Sequence, residues 1–135
     1  MKDDVIKILN DSGIQPSAQR VAVAEYVLST DEHPSADQVF ATVSSNFPMI
    51  SRATIYNTLN LFVEKGLLRE LHIAAGRVVF DPNLARHHHF INEETGEIKD
   101  MEGQQLKVSN LGSLNDFEIT DYQVVLRGKK KKTEQ

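Results

Sequence analysis

The chain has 135 residues, no cysteine, 25% charged residues and a formal net charge of −4. Without cysteine, disulfides, thiolate zinc sites and cysteine nucleophiles are excluded. The acidic balance means that any contact with nucleic acid has to come from local basic residues. No apolar run approaches the roughly 20 residues of a membrane span, and the acidic N-terminus is unlike a secretory signal, so we expect a cytoplasmic protein.

The first half of the chain is predicted to form four helices. Apolar residues recur at helical spacing in each of them, and a serine before each of the last three can accept hydrogen bonds from first-turn amides. Gly66 is placed to end the fourth helix. The predicted helices cover residues 3–11, 18–29, 36–45 and 52–65, with Ser17, Ser35 and Ser51 as N-caps.

Two short runs of strand-like composition follow the helices. Residues 67–73 and 77–80 are joined by Ala74-Ala75-Gly76, which is a hairpin signal. Helices followed by a hairpin is the order of a winged helix-turn-helix, whose last helix lies in the major groove of DNA.

Polar residues at the start of the fourth helix point away from its apolar stripe. They are candidates for DNA contact, and Tyr56 suits apolar contact with thymine methyl groups. The alternative is an ordinary solvated helix face. Because few basic residues are available for phosphate, we expect a homodimer on a two-fold DNA site. The candidate DNA-binding residues are Arg20, Ser51, Arg52, Thr54, Tyr56 and Asn57.

Residues 81–100 contain a candidate metal-binding stretch. His87, His88 and His89 are consecutive and are flanked by Asp81 and Asp100. Imidazole and carboxylate suit Fe(II), Mn(II) or Zn(II). On an extended segment His87 and His89 point to one face and His88 to the other. The alternative is a solvent-exposed polar loop that happens to be rich in histidine.

The last third of the chain is predicted to form a small α/β unit. Residues 97–100 read as a short strand, residues 103–112 as a brief helix, and residues 116–127 as the clearest strand in the chain, because their apolar residues alternate. So small a unit should pair with a second copy. The predicted organisation is α+β: a winged-helix DNA-binding domain over 1–81, a hinge over 82–86, an α/β dimerisation and metal-sensing domain over 87–128, and a solvated basic tail over 129–135.

Together these segments resemble the ferric uptake regulator family of metal-dependent repressors, over nearly the whole chain. The resemblance implies a regulatory site for Fe(II) or Mn(II), with Zn(II) able to bind in vitro, and a homodimer on an AT-rich palindromic operator. The implied metal ligands are His33, Asp81, His87, His89 and Asp100. The segments that carry the resemblance are PSAQR (16–20), HPSADQVF (33–40), ISRATIYNTLNLFVEKGLL (50–68) and HHHFINEETGEIKD (87–100).

At position 100 the chain resembles the peroxide-sensing branch of the family, because aspartate is typical there in that branch. In the iron-sensing branch glutamate is usual at this position. In the peroxide-sensing branch peroxide oxidises a ligand histidine and releases the repressor from DNA. The oxidised residue would be His33 or His87. The alternative within the family is an iron- or manganese-responsive repressor without peroxide chemistry.

The chain departs from the family pattern at two places. The first pair of structural-zinc cysteines is replaced by Asn92 and Thr95, and the positions of the second pair are absent, so no structural zinc is expected. His88 makes a triplet like that of haem-responsive relatives, although an outward-pointing strand histidine is the plainer interpretation. Outside the family, an iron oxygenase or small metal hydrolase and a winged-helix DNA binder without metal control are the rival functions.

Overall fold

The computed structural model describes residues 2–74, 76–84 and 87–132, except for the side chain of His87. The chain forms two compact units, Met1–Leu84 and Ala85–Gln135. Two residues of the predicted hinge, 85 and 86, lie outside the described residues, as do 133–135 of the predicted tail. No helix within the described ranges has the length and apolarity to span a membrane.

The predicted helices of the first unit are confirmed. They are α1 Lys2–Asp11, α2 Ala18–Val27, α3 Ala36–Ser44 and α4 Arg52–Glu64. All three predicted serine caps form: Ser17 Oγ accepts from the Arg20 amide at 3.2 Å, Ser35 makes a reciprocal capping box with Gln38, and Ser51 Oγ accepts from the Thr54 amide at 3.1 Å. These bonds satisfy first-turn amides that have no partner inside the helix.

The core of the first unit draws buried apolar side chains from all four helices. Leu9, Val27, Val39 and Phe62 are among its fully buried members. Phe40 is only partly buried and packs against this core. The first unit is therefore a helical domain with one continuous core.

A two-stranded wing completes the first unit. Strands β1 Arg69–Ala74 and β2 Arg77–Asp81 pair antiparallel, with Arg69 opposite Asp81. Gly76 has φ 74° in the turn between them, a conformation that favours glycine. The order of helices and hairpin confirms the predicted winged helix.

The second unit contains a three-stranded sheet. Strands β3 His87–Asn92, β4 Ile98–Glu102 and β5 Val125–Gly128 lie in the order β4-β3-β5. Strands β3 and β4 pair antiparallel, and β3 and β5 pair parallel. Together with the four helices of the first unit, this sheet confirms the predicted α+β class.

The helix predicted over residues 103–112 was wrong. The segment contains two single 3-10 turns, Gly103–Gln105 and Leu111–Ser113, and neither turn contains a buried residue. Asn110 between them has φ 69°, outside the helical region. A helix gains most of its stability by burying an apolar face, and this segment buries none.

The strand predicted over residues 116–127 was right only at its end. Pairing with β3 starts where the His89 amide donates to Val124 O at 3.1 Å, and β5 covers Val125–Gly128. Phe117 is 71% exposed and Ile119 is 41% exposed. Alternating apolar residues favour a strand only where a neighbouring strand and a buried face are available, and within the described residues this segment has neither.

The basic residues after β5 are exposed and have no regular secondary structure over 129–132. Lys129 Nζ lies 4.0 Å from Glu94 Oε1, and both side chains are exposed. An exposed pair of this kind contributes little to stability, as expected of a solvated tail.

Candidate metal ligands and candidate DNA-binding residues

The first unit places His33 next to Asp81. Both side chains are buried, and His33 Nε2 lies 3.2 Å from Asp81 Oδ2. A backbone hydrogen bond joins the loop before α3 to the end of the wing: the Phe80 amide donates to Pro34 O at 2.9 Å. Since Pro34 follows His33 and Phe80 precedes Asp81, this backbone bond joins the positions next to the two residues.

His33 has a left-handed backbone, with φ 53°. A residue with a Cβ pays roughly 1–2 kcal/mol for that conformation. Such strain concentrates at functional sites, where the surrounding structure holds it in place. Asp81 is also fixed locally, because its Oδ1 accepts from the Asn83 amide at 2.9 Å while Oδ2 faces His33.

The second unit places His89 next to Asp100. The two residues are directly opposite each other in the β3–β4 register, and His89 Nε2 lies 3.3 Å from Asp100 Oδ1. His89 is buried, and the Asp100 side chain is partly exposed. Facing residues on antiparallel strands bring their side chains within contact distance, so the register alone makes this pair.

The geometry of both pairs fits ligands of a divalent transition metal. Two ligand atoms at about 2.1 Å from one ion are about 3.0–3.4 Å apart when the angle between them is octahedral or tetrahedral. The observed separations of 3.2 Å and 3.3 Å lie in that range. They are also at or beyond the long end of an ordinary N–H···O bond. Nitrogen and carboxylate donors together suit Fe(II), Mn(II) and Zn(II).

His87 starts β3, opposite Glu102. Its side chain lies outside the described part of the structure, so its assignment as a ligand and as an oxidation-sensitive residue stays a prediction.

The outward-pointing orientation predicted for His88 was wrong. His88 is only 2% exposed, and its ring centroid lies 6.2 Å from that of Tyr122, a normal distance for packed aromatic rings. Its Nδ1 is buried without a hydrogen-bond partner among the described residues. The prediction failed because Tyr122, in the segment leading into β5, packs near this ring. For His88 and His89 the alternative of an exposed polar loop is excluded as well, and haem binding stays untested.

Asn92 and Thr95, which occupy the expected cysteine positions, close the turn between β3 and β4. Asn92 Oδ1 accepts from the Glu94 and Thr95 amides at 2.9 and 3.3 Å, and Thr95 Oγ1 accepts from the Glu97 amide at 3.1 Å. A turn at Glu94-Thr95-Gly96 was expected from the sequence, but the hydrogen bonds of Asn92 and Thr95 within it were not. The tendency of Asn and Thr to bond to nearby backbone in turns was the signal that could have identified their role.

The candidate DNA-binding residues lie on two sides of α4. A groove of about 380 Å³ between the start of α2 and α4 is lined by Arg20, Thr54 and Asn57, among others. Tyr56 is 47% exposed and lines a different groove, beside the start of α3 and β2. The N-cap residue Ser51 is exposed at the start of α4.

Both arginines among these candidates already make hydrogen bonds. Arg20 Nη1 donates to Gln15 O at 2.8 Å, and Arg52 Nη1 donates to Asp37 Oδ1 at 2.7 Å. A guanidinium has five N–H donors, so each retains further donors for phosphate or bases.

Comparison with known proteins gives one family. Residues 11–127 match the model of the ferric uptake regulator family. The chain is 35% identical over 128 residues to the peroxide-responsive repressor PerR of Staphylococcus aureus strain Mu50, covering 93% of this chain and 86% of that protein. The Vibrio cholerae ferric uptake regulator is similar with a TM-score of 0.71 at 23% identity, covering 93% of this chain and 98% of that one. The Pseudomonas aeruginosa regulator with manganese is similar with a TM-score of 0.69 at 25% identity, covering 93% and 97%.

Proposed function

We propose that this chain, which belongs to the ferric uptake regulator family, is a repressor that binds DNA when Fe(II) or Mn(II) is bound and that peroxide inactivates. Members of this family are metal-responsive transcriptional regulators rather than enzymes, and they bind DNA as dimers. The observation that carries the proposal is the pair of histidine–carboxylate contacts, His33 with Asp81 and His89 with Asp100, both with a buried imidazole.

We propose that both pairs serve one divalent ion, as the family pattern implies. Three neutral imidazoles and two carboxylates would balance the charge of the ion. An ion that prefers one arrangement of the chain shifts the population towards it, and DNA affinity changes with that population. The proposed ligands are His33, Asp81, His87, His89 and Asp100.

Sensing of peroxide is supported by the 35% identity to a peroxide-responsive repressor and by Asp100 at the branch-specific position. Bound Fe(II) would supply the redox chemistry by which peroxide oxidises a ligand imidazole, for which His33 and His87 are the proposed residues. The chain contains no cysteine, so the thiol oxidation ladder is not open to it. Mn(II) at the same ligands would maintain DNA binding without that chemistry.

Peptide mass spectrometry tests the sensing step. After peroxide treatment, the Fe(II)-loaded protein should gain one oxygen atom on a ligand histidine, and the Mn(II)-loaded protein should not. Trypsin releases His87 in residues 87–99, which contain no methionine. His33 lies in residues 21–52 together with Met49, which is 94% exposed and oxidisable, so Met49→Leu is needed before that peptide is interpreted.

Asp100→Glu sharpens the same experiment, because glutamate keeps a carboxylate at the position typical of the iron-sensing branch. Metal binding should persist while histidine oxidation falls several-fold. Equal oxidation of the variant and the wild type, or unmodified histidines in both, would favour an iron- or manganese-responsive repressor without peroxide chemistry.

We also propose an AT-rich palindromic operator and a cytoplasmic location, since the protein acts on DNA. Residues 1–84 contain seven Lys and Arg against ten Asp and Glu. One such unit attracts phosphate weakly, so two copies on a two-fold site are needed for useful affinity.

A further inference from the structure

The guanidinium of Arg52, the first residue of α4, is held from two sides by α3. Its Nη1 donates to Asp37 Oδ1 at 2.7 Å, and its Cζ lies 4.5 Å from the centre of the Phe40 ring. Asp37 and Phe40 are three residues apart on α3, so they occupy the same face of that helix. The carboxylate fixes one edge of the guanidinium and the ring covers one of its planes.

This contact is exposed and contributes little to folding. The side chains of Arg52 and Asp37 are 61% and 71% exposed, and exposed ion pairs contribute about 0–1 kcal/mol. Asp37 also stabilises the N-terminus of α3 through its charge, but that role requires neither Arg52 nor Phe40. The pairing therefore points to a role at the surface that α4 presents.

We propose that Asp37 is a specificity-determining residue for DNA recognition, acting by positioning Arg52. It holds the guanidinium in one orientation at the start of the recognition helix and cancels much of its charge. Arg52 then contributes less to attraction for arbitrary phosphates and keeps its remaining N–H donors for acceptors in a matching geometry. This inference rests on the proposed DNA-binding function.

Partial neutralisation of Arg52 by Asp37, here called masking, matters for DNA affinity because the first unit has few basic residues. Residues 1–84 contain only seven basic residues, so unmasking one of them changes a large share of the available phosphate contacts. Each additional phosphate contact steepens the dependence of log affinity on log salt by about 0.9 for duplex DNA. Masking Arg52 lowers affinity for any DNA and lowers it less for the sequence whose acceptors match the fixed guanidinium.

Asp37→Asn tests the proposal, because it keeps the side-chain shape and removes the charge. The probes are the best duplex that the Mn(II)-loaded wild-type dimer selects from a random library and a scrambled duplex of equal length and composition. For the variant, affinity for the scrambled duplex should rise about three- to tenfold, and the salt slope should steepen by about 0.9 per subunit. The ratio of selected to scrambled affinity should fall, because affinity for the selected duplex rises less than affinity for the scrambled one.

Two controls separate positioning from a general charge effect. Glu64→Gln removes a negative charge at the other end of α4, about 18 Å along the helix from Arg52, which exceeds the Debye length of about 8 Å. It should leave the affinity ratio unchanged. In an Arg52→Ala background, Asp37→Asn should have no further effect on the ratio or the salt slope, because Asp37 acts through Arg52.

The results that would contradict this role of Asp37 differ from those that would contradict the proposed function. An unchanged ratio in Asp37→Asn, equal effects of Asp37→Asn and Glu64→Gln, or persistence of the effect in Arg52→Ala would each overturn the role of Asp37 and leave the repressor function standing. Failure of the Mn(II)-loaded wild type to select any duplex would overturn the proposed function and this inference with it.

Discussion

The two units reach the same histidine–carboxylate contact by different routes. In the first unit, His33 and Asp81 are far apart in sequence and meet because a strained loop is tied to the end of β2. In the second unit, His89 and Asp100 meet because they face each other across two hydrogen-bonded strands. The first contact depends on a backbone bond between distant segments and the second on strand register, so different substitutions should break them.

Loss of core packing in the first unit should have the largest effect on stability. Phe62→Ala removes a fully buried ring and should lower the free energy of unfolding by about 3–5 kcal/mol. Phe117→Ala, in the second unit, removes a ring that is 71% exposed in the single chain and should change it by less than about 0.5 kcal/mol. Urea denaturation of each variant measures both values.

Measurements at several protein concentrations test whether a second copy of the chain covers Phe117. Phe117 lies in an exposed apolar segment with Ile119, which a second copy could cover. If it does, the loss in Phe117→Ala should appear as weaker dimerisation in sedimentation experiments. A loss as large as that of Phe62→Ala at every protein concentration would contradict the description of Phe117 as exposed in the folded chain.

A smaller effect should come from the turn that sets the register of β3 and β4. Asn92→Ala removes the acceptor for two backbone amides and should cost about 1–2 kcal/mol. Thr95→Ala removes one acceptor and should cost less. Hydrogen exchange should show faster amide exchange in β3 and β4, with α1 to α4 unaffected. Unchanged protection of these strands would mean that the turn does not set the register.

The helices were predictable from sequence because their signals are local. Each of three helices has a serine cap at its start, and its apolar residues recur at helical spacing. Both the cap and the spacing can be read from a few neighbouring residues. The capping residues are Ser17, Ser35 and Ser51. Asp81 was a candidate ligand from its place in the stretch 81–100, whereas the assignment of His33 came from the family resemblance. The left-handed backbone of His33 and its tie through Pro34 to Phe80 depend on contacts between distant segments.

The second unit was harder to predict because its structure depends on neighbours that sequence periodicity does not reveal. The alternating residues 116–127 formed a strand only where β3 was available as a partner. His88 was expected to face solvent, yet it packs near Tyr122. The positions of Asn92 and Thr95 showed that cysteines were missing, but the hydrogen bonds that close the turn became visible only in the structure.

Adjacent histidines on β3 offer the most direct test of metal-controlled DNA binding. His88 and His89 are both buried, so alanine at either position removes the same volume, but the pairing with Asp100 belongs to His89. Mn(II)-dependent affinity for a selected duplex should be measured for both variants. His89→Ala should lose the Mn(II) response, with a fall in metal affinity larger than the roughly 10- to 100-fold that loss of an outer-shell partner costs, while His88→Ala should retain the response. A wild-type Mn(II) response in His89→Ala, or an equal loss in both variants, would contradict metal control of DNA binding through His89.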